Sequence, residues 1–573
     1  MKFPDLDKRK HIGKILLGYA GGAWVIIQVV TLIISQYKWP IAFLDVTILI
    51  FILGLPSVLI FALYGNVISK KLRLIYGINL ALMIGVISYY FLKPDSIHPN
   101  QIKFLKFKDN QKELARNIGS IAILPFSNFT GDSEKDYLSY AIHDALVTEM
   151  GSVSSLRIIS KTSAMAISGQ NKSLQEIAEE LNVDAVMEGS ILSLDNNIKV
   201  NVSLVNAFPE ELQLWTKDYT ESMSSLLNVY SKITRNLAQE IELPLTTEEK
   251  SFLNKKKSVN PAAYEAYLKG KYSMGLLTQE GIMASQEYFN KAIELDPGFA
   301  PAYAALGGVW GFLKQMNMVT ADQANQFFGP NIEKALTLDD TMAEVHYWQA
   351  IKYVWTDYNW EEGEKSFRRA IQLNPNSSET RGLYANFLLT QNRIEEARKE
   401  IDIALSLDPQ GAFILTLSLI NYVWERDFNL AIELGVELQK MYPSPLVNLG
   451  LFQAYAETKN YDKLIEQAKI WLALENHLDV VPVLEKEYKE NGFKSALKKA
   501  CEVLEEKETS ELYAQTMFSF YAVSGNTDKT LDWLEKSYMR KDPDIPAINT
   551  VPILDPYRNE SRFKELVARL NFK

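Results

Sequence analysis

A repeat in the carboxy-terminal half of the 573-residue chain constrains its fold more than any other feature. Similar helix-ending phrases recur, namely FNKAIELDP, IEKALTLDD, FRRAIQLNP, IDIALSLDP and LQKMYP, which end at Pro297, Asp340, Pro375, Pro409 and Pro443. Successive phrases lie 43, 35, 34 and 34 residues apart. A unit of this length holds two helices that cannot bury an apolar face alone, so neighbouring units must stack. The sequence therefore predicts an all-α solenoid over residues 258–573.

The 34-residue period resembles that of the tetratricopeptide repeat. Small residues follow the bulky positions of the second helices and let the helices approach closely, as at Ala292, Ala335, Ala370 and Ala404. The longer second unit carries about nine extra residues around Met316 to Phe328, which predicts an inserted loop. After Pro443 the pattern weakens, and the tail resembles the short capping helix that ends many such arrays.

Tetratricopeptide arrays bind peptides or protein segments in their concave groove. First-helix positions predicted to face that groove, and so to contact a protein partner, are Trp348, Lys352, Trp355, Glu379, Asn386 and Thr390. Each has a plainer alternative. Aromatic residues at helical spacing often pack in the core, and single charges often lie on a solvated surface.

The first hundred residues contain three long apolar runs, at about 15–34, 41–63 and 74–91. A helix needs about 20 apolar residues to cross the hydrocarbon core of a bilayer. The first run is too long for a cleavable signal peptide, and two more follow it. The sequence therefore predicts a lipid-embedded anchor of three transmembrane helices over residues 1–93 and a polar linker over 94–116.

Positive charges in the short loops predict the orientation of this anchor. Basic residues precede the first run and separate the second from the third, whereas only Lys38 lies between the first and second. The amino terminus is therefore predicted to be cytoplasmic. Three crossings would place the later domains on the extracytoplasmic or periplasmic side of the cytoplasmic (inner) membrane, as part of a multi-pass bacterial envelope protein.

Three polar or small residues within the predicted spans invite separate interpretations. Gly18 and Gly22 have the GxxxG spacing that lets two membrane helices pack closely, although this spacing is also common by chance. Asp45 could bind an ion or a proton, or could reach water near the outer interface.

Residues 117–245 change to the pattern of a compact domain. Short apolar runs at 120–126 and 156–159 predict buried strands, and 185–194 with 198–205 predict a hairpin, followed by a strand at 212–219. Helical spacing predicts helices at 137–150 and 226–241, and Ser173 with Glu176 forms a capping-box signature before a third. This order predicts a mixed α/β domain with one sheet.

Several segments of this domain resemble the TolB-like amino-terminal domain, which is related to the FlgO domain. They are SIAILPFSNFTGDSEKDYLSYAIHDALVTEM, LRIISKTSAMAISGQ and IAEELNVDAVMEGSI, in that order along the chain. The resemblance implies a fold with no known catalysis, found in envelope proteins and regulators between a membrane segment and a tetratricopeptide array. Some members carry a class III cyclase or winged-helix domain ahead of the membrane. Only fourteen residues precede the first predicted span here, so we expect neither.

Charge and composition exclude several classes of function. Sixty basic and seventy acidic residues give a net charge of −10, which disfavours nucleic acid as a partner. One cysteine, Cys501, and five scattered histidines disfavour a metal centre. Cys501 could be activated by neighbouring lysines or could be a buried helical residue. Phosphate-loop, dinucleotide, zinc-protease and serine-hydrolase motifs are missing from the sequence, so we expect no enzyme activity and no cofactor.

Two functional hypotheses follow from these patterns. The first is a membrane-anchored, non-enzymatic scaffold whose repeat array binds a protein partner, on the extracytoplasmic side. The alternative is a signalling or regulatory receptor-like protein that relays an extracytoplasmic cue through its transmembrane helices to a separate cytoplasmic partner.

Overall fold

A computed structural model of the chain separates it into two compact units, Met1–Glu113 and Leu114–Lys573. The structure describes Ala23, Ile26 and residues 118–572, apart from short gaps at 133–134, 195–196, 209–210, 223–224, 256–257, 317 and 508–513. The three predicted membrane spans, the linker, Gly18, Gly22 and Asp45 lie outside the described residues.

The described part of the chain contains no helix that is both long and apolar enough to span a membrane. Its longest α-helix, Gln279–Leu295, has 17 residues and a polar face, and the very apolar helix Ala412–Trp424 has only 13. A crossing needs about 20 apolar residues. This finding contradicts the predicted fold class with three transmembrane helices and the predicted multi-pass inner-membrane location, including the extracytoplasmic placement of the later domains.

The amino-terminal domain of the described region is built on a six-stranded mixed sheet. Its strands are β1 (Ser120–Ile123), β2 (Ser127–Asn128), β3 (Arg157–Ile158), β4 (Ala185–Leu194), β5 (Asn197–Asn206) and β6 (Leu212–Ser222). The order is β3-β1-β4-β5-β6, with β2 paired to β4. Strand β1 pairs in parallel with β3 and β4, and β2 pairs in parallel with β4. Strand β5 pairs antiparallel with both β4 and β6. The predicted mixed sheet and its hairpin agree with this arrangement.

The described part of this domain contains five helices, namely α1 (Asp136–Gly151), α2 (Lys161–Ser168), α3 (Leu174–Leu181), α4 (Leu226–Glu240) and α5 (Thr247–Asn254). Helices α1 and α4 bury one large apolar cluster against the sheet, and α2 and α3 bury a smaller one on the opposite face. The predicted capping box forms at Ser173, whose hydroxyl accepts from the Glu176 N–H. Helices α2 and α5, with eight residues each, are not among the predicted elements.

The remaining residues form pairs of antiparallel helices. They are α6 (Pro261–Gly275), α7 (Gln279–Leu295), α8 (Ala300–Gln315), α9 (Ala321–Asn325), α10 (Phe328–Leu338), α11 (Ala343–Lys352), α12 (Trp360–Leu373), α13 (Ser378–Thr390), α14 (Ile394–Leu407), α15 (Ala412–Trp424), α16 (Phe428–Met441), α17 (Pro445–Glu457), α18 (Tyr461–Leu474), α19 (Val481–Asn491), α20 (Phe493–Glu505), α21 (Ala514–Ser524), α22 (Thr527–Arg540) and α23 (Ser561–Arg569). A π-helical turn, Tyr353–Asp357, extends α11. The predicted helical solenoid is confirmed.

The repeat is visible in the backbone as well as in the sequence. Tyr358, Asn392, Arg426 and Lys459 each adopt a positive φ in the turn between the two helices of a unit, and they lie 34, 34 and 33 residues apart. The predicted inserted loop is instead partly helical. Thr320 caps α9 in a reciprocal capping box with Gln323, which stabilises one and a half turns within the insertion.

The carboxy-terminal segment returns to the middle of the array. Short 3₁₀ turns at Ile545–Ala547 and Pro552–Tyr557 precede α23. The guanidinium of Arg426 donates to the Thr550 carbonyl oxygen at 2.8 Å and to Asp555 at 3.0 Å. The tail therefore packs along the turns that join the paired helices, in addition to covering the last pair.

Candidate interaction site at the junction of the two domains

The α/β domain and the first helix pair of the array share one apolar core. The large cluster under α1 and α4 continues into α6 and α7 through Tyr264 and Ala292 and reaches Phe299. Within it, the hydroxyls of Tyr230 and Tyr264 hydrogen-bond at 3.0 Å. Because this core is continuous, the two domains form one packed body at this end of the array.

Asn376, in the turn between α12 and α13, fixes the array to the α/β domain further along. Its amide nitrogen donates to the carbonyl oxygens of Gly151 at 3.0 Å and Leu156 at 2.9 Å. Its amide oxygen accepts from the Ile158 N–H at 2.9 Å. One side chain thus satisfies three backbone groups at the end of α1 and the start of β3.

Asp408, in the turn one unit later, makes a second set of contacts. Its carboxylate accepts from the hydroxyls of Ser160 and Ser163, the latter at 2.5 Å. The Ser160 N–H donates to the Leu407 carbonyl oxygen at 2.8 Å. Burial raises the pKa of Asp408, and the hydroxyl donors offset part of that rise. These residues dock α2 against the array.

Lysines surround one carboxylate where α1 meets α2 and α6. Asp144 lies 2.5 Å from Lys161 Nζ and 3.4 Å from Lys271 Nζ. Lys161 also donates to the Tyr140 hydroxyl at 2.8 Å and lies 4.2 Å from the centre of that ring. The three charged side chains keep 20–26% of their surface accessible, so water and a partner can reach them.

The charges in this group act strongly on one another. Burial raises the pKa of Asp144, but the two neighbouring ammonium groups outweigh this effect and hold that pKa well below its usual range. The charge of Asp144 raises the pKa of Lys271 well above its usual value. Burial lowers the pKa of Lys161, but the interactions with Asp144 and Tyr140 together outweigh burial and raise it. All three groups are therefore charged at neutral pH.

Glu379 is the predicted partner-contact residue that interacts electrostatically with this group, since the charges of Lys161, Lys271 and Asp144 act on its carboxyl. It lies in the first turn of α13 with an exposed side chain, yet the surrounding protein raises the pKa of its carboxyl, and the charge of Lys161 opposes that rise. We call Tyr140, Asp144, Lys161, Lys271 and Glu379 the junction cluster.

Two of the other predicted positions pack between helices. Trp348 is half-buried against Gly308, and a Cβ there would come within 2.5 Å of the indole Nε1. Trp355 is 9% exposed and meets Phe367 edge-on at 6.3 Å. Lys352 forms an ion pair with Asp357 at 2.8 Å. These side chains therefore stabilise neighbouring helices, and their role in partner contact stays a prediction.

The last two predicted positions are almost fully covered within α13. Asn386 and Thr390 are each 6% exposed. The Thr390 hydroxyl donates to the Phe387 carbonyl oxygen at 2.7 Å, and the Asn386 amide oxygen is buried without a hydrogen-bond partner. The structure does not bring these two residues into the junction cluster, and their contact with a partner also stays a prediction.

Sequence reasoning missed most of the junction. Asn376 follows a proline that ends a helix and Asp408 precedes one, and the repeat pattern predicts no contact with another domain for either residue. The signal available in the sequence was the hydroxyl-rich segment RIISKTS, whose Ser160 and Ser163 bind Asp408. A repeat turn that carries Asp or Asn is therefore worth testing as a docking point for a neighbouring domain.

Groups that would hold a metal ion do not converge in the described part of the chain. No three His, Cys, Asp or Glu side chains are arranged there to hold a metal ion. The Cys501 thiol is fully buried in α20, and burial raises its pKa well above the usual value. The junction cluster contains partly accessible charged groups and a tyrosine. Such groups can bind a partner through ion pairs and hydrogen bonds.

Two family models match parts of the chain. Residues 116–235 match the second domain of the HilA/YgeH-like transcriptional regulators. Residues 355–414 match a tetratricopeptide repeat. The latter confirms the repeat type of the array, whereas the TolB-like assignment is not shown by these matches.

Curated relatives are similar over part of their length. A Rhizobium meliloti (strain 1021) protein named "Putative adenylate cyclase 3" is 29% identical over 238 residues, which cover 41% of this chain and 40% of the relative. The transcriptional regulator HilA of Salmonella typhimurium is 24% identical over 276 residues, which cover 47% of this chain and 48% of the relative. The chain thus spans less than half the length of these relatives.

Two solved structures show low similarity to parts of this chain. PilF of Pseudomonas aeruginosa is 19% identical, covers 37% of this chain and 93% of its own, and has a TM-score of 0.28. YrrB, described as a tetratricopeptide protein with an unusual peptide-binding site, is 20% identical, covers 37% of this chain and 98% of its own, and has a TM-score of 0.24.

Proposed function

We propose that this chain is a non-enzymatic scaffold whose tetratricopeptide array binds a protein partner. A tetratricopeptide array is a fold for protein–protein interaction, since its stacked helices present an extended surface. The observation that carries the proposal is the junction itself. Asn376 and Asp408 bind the α/β domain to the array and leave the charges of the junction cluster accessible.

The partner is proposed to contact the junction cluster with a polar segment that carries both signs of charge. Lys161 and Lys271 share one carboxylate, Asp144, and so keep donors for a partner's carboxylate or carbonyl groups. Glu379, whose carboxyl interacts electrostatically with both lysines, supplies an exposed acceptor. A segment rich in apolar residues would leave these charges desolvated and unpaired, which is costly.

Crosslinking capture with the full chain tests this proposal. The charge reversal Glu379→Lys is expected to reduce recovery of a crosslinked protein partner about tenfold, which corresponds to the loss of one charge-assisted contact. Glu287→Lys is a matched control, because Glu287 is an exposed glutamate of α7 that lies outside the cluster. Equal recovery by both variants would contradict a partner site at the junction cluster.

A regulatory function is the second candidate. It is supported by the match of residues 116–235 to a domain of HilA/YgeH-like transcriptional regulators and by the similarity to HilA. In this proposal the α/β domain controls partner binding through the junction. The variant Asn376→Ala removes the hydrogen bonds that Asn376 makes with the α/β domain and leaves Glu379 unchanged. It should then change the recovery of the crosslinked partner. Unchanged recovery by Asn376→Ala would speak against it.

The proposal that the chain has no enzyme activity also has a direct test, since one relative is named as a cyclase. Purified full chain incubated with ATP and a divalent cation is expected to form no cyclic AMP. Cyclic AMP formed in proportion to the amount of protein would overturn this part of the proposal.

A further inference from the structure

A pocket of about 400 Å³ lies between the middle of the array and the carboxy-terminal cap. Three segments that are distant in sequence line it, through Thr356, Asp357, Tyr358, Tyr538, Met539, Lys541, Arg569 and Asn571. The volume falls within the range of small-ligand sites. The pocket lies where the turn between α11 and α12 meets the ends of α22 and α23, so none of the three segments forms it alone.

The backbone around this pocket adopts uncommon conformations. The pocket begins at the π-helical turn Tyr353–Asp357, a type of distortion that is frequent at functional sites. Tyr358, Lys541 and Asn571 have φ values of 53°, 55° and 57°. A tyrosine in this left-handed region is strained, and such strain persists only where the surrounding structure holds it.

The pocket carries two cationic groups that lack a carboxylate partner. Neither Lys541 nor Arg569 forms an ion pair with any residue that the structure describes. The lining carboxylate, Asp357, is already neutralised by Lys352 at 2.8 Å. The charge that remains for a ligand is therefore positive.

The wall beside these cations is aromatic and apolar. The rings of Tyr358 and Tyr538 stack with centres 5.9 Å apart and planes 18° apart. The Arg569 guanidinium lies 5.9 Å from the centre of the Tyr538 ring. Met539, whose adaptable side chain is 75% exposed, is available to cover a flat group.

We propose that this pocket binds a small organic anion, in which a carboxylate or phosphate group is attached to a flat apolar ring. Lys541 and Arg569 bind the anionic group, and Tyr358, Tyr538 and Met539 contact the ring. The inference goes beyond partner binding by the junction cluster and does not depend on it, because the two sites share no residue.

Isothermal titration of the full chain tests the pocket with three probes. Phenyl phosphate and benzoate present the two anionic groups on the same ring, and inorganic phosphate lacks the ring. At least one ring-bearing probe should bind about tenfold more tightly than inorganic phosphate, and the better one identifies the anionic group. Equal affinity for all three, or no binding of either ring-bearing probe, overturns the proposal.

Two variants locate the binding. Lys541→Asn and Arg569→Gln together should weaken binding of the better probe at least tenfold, the loss expected from removing charge-assisted contacts. Asparagine is chosen because it tolerates the left-handed backbone at this position. Lys564→Gln, an exposed lysine of α23 outside the pocket, should leave the affinity within twofold. A double variant that keeps its thermal midpoint and the parental affinity contradicts the assignment.

Discussion

The indole Nε1 of Trp360 donates a hydrogen bond of 2.6 Å to the carbonyl oxygen of Leu570, which lies 210 residues later in the chain. The Trp360 ring also stacks on Phe572, with centres 4.6 Å apart and planes 15° apart. The Trp360 ring also stacks on the Tyr358 ring, with centres 6.3 Å apart, and Tyr358 in turn stacks on Tyr538. These contacts bind the carboxy-terminal segment to the middle of the array. The pocket that we propose to bind an organic anion lies at the same place.

Trp360→Phe separates the hydrogen bond from the ring packing. Phenylalanine retains much of the stack but leaves the Leu570 carbonyl without its donor. The free energy of unfolding should fall by about 1–2 kcal/mol, as measured by denaturant titration. Trp360→Ala should lower it by about 3–5 kcal/mol, because it also opens a cavity. Trp424→Phe is the matched control, since the Trp424 indole is half-buried and donates no hydrogen bond within the described part. A loss as large in the control would contradict a specific role for the Trp360 bond.

Asn376→Ala is expected to loosen the contact between the α/β domain and the array. The substitution leaves the Gly151 and Leu156 carbonyl groups and the Ile158 N–H without their partner, at a cost of about 2–4 kcal/mol. Hydrogen exchange at the end of α1 and at β3 should therefore become faster.

Asn290→Ala is the control for that experiment, because Asn290 makes one exposed hydrogen bond within its own helix, to Gln286. Unchanged exchange at α1 and β3 in Asn376→Ala would mean that the shared apolar core alone holds the two domains together.

The sequence was most informative where one pattern repeats. Ala292, Ala335, Ala370 and Ala404 were predicted to let helices approach, and all four are fully buried. The 34-residue spacing located the helix ends because each proline stops a helix two residues after its last turn. Periodic patterns survive in a solenoid since each unit contacts its neighbours in the same way.

The junction could not be predicted by the same reasoning. Asn376 and Asp408 are ordinary turn residues within their own units, and their role depends on contacts with residues more than 200 positions away. Helical spacing predicts that Trp355 and Asn386 face a groove; in the structure Trp355 lies within the π-helical turn, the two side chains are 9% and 6% exposed, and their contact with a partner stays a prediction. Local spacing indicates which face of a helix a residue occupies, and tertiary packing decides whether that face remains free.

Gly308→Ala should destabilise the array, although alanine is the better helix former. A Cβ at this position would lie 2.5 Å from the Trp348 Nε1 and 2.7 Å from its Cε2, so the indole must move. We expect the free energy of unfolding to fall by about 1–3 kcal/mol. Gly169→Ala is the control, because no atom lies within 4 Å of the added Cβ there. A stabilised Gly308→Ala variant would contradict the packing of Trp348 described above.

Protonation of Glu475, at the end of α18, should make the array more stable in mild acid than above neutral pH. Burial raises the pKa of its carboxyl to about 7, although the Thr516 hydroxyl and the Trp471 indole donate to it. The folded state therefore holds this proton more tightly than the unfolded state, whose glutamate pKa is about 4.3. The destabilising effect of the charged form is fully present above pH 7 and disappears as the pH falls through 7 toward 4.5.

Glu475→Gln isolates this contribution from those of other titrating groups. Since the variant lacks the charge at every pH, its stability relative to the parent should be higher by about 1–3 kcal/mol at pH 8 and nearly equal at about pH 4. Denaturant titrations at both pH values measure the difference. Glu466→Gln, an exposed position on the same helix, should show the same difference at both pH values. If the Glu475→Gln difference is also independent of pH, the buried carboxylate is not the origin of the pH dependence.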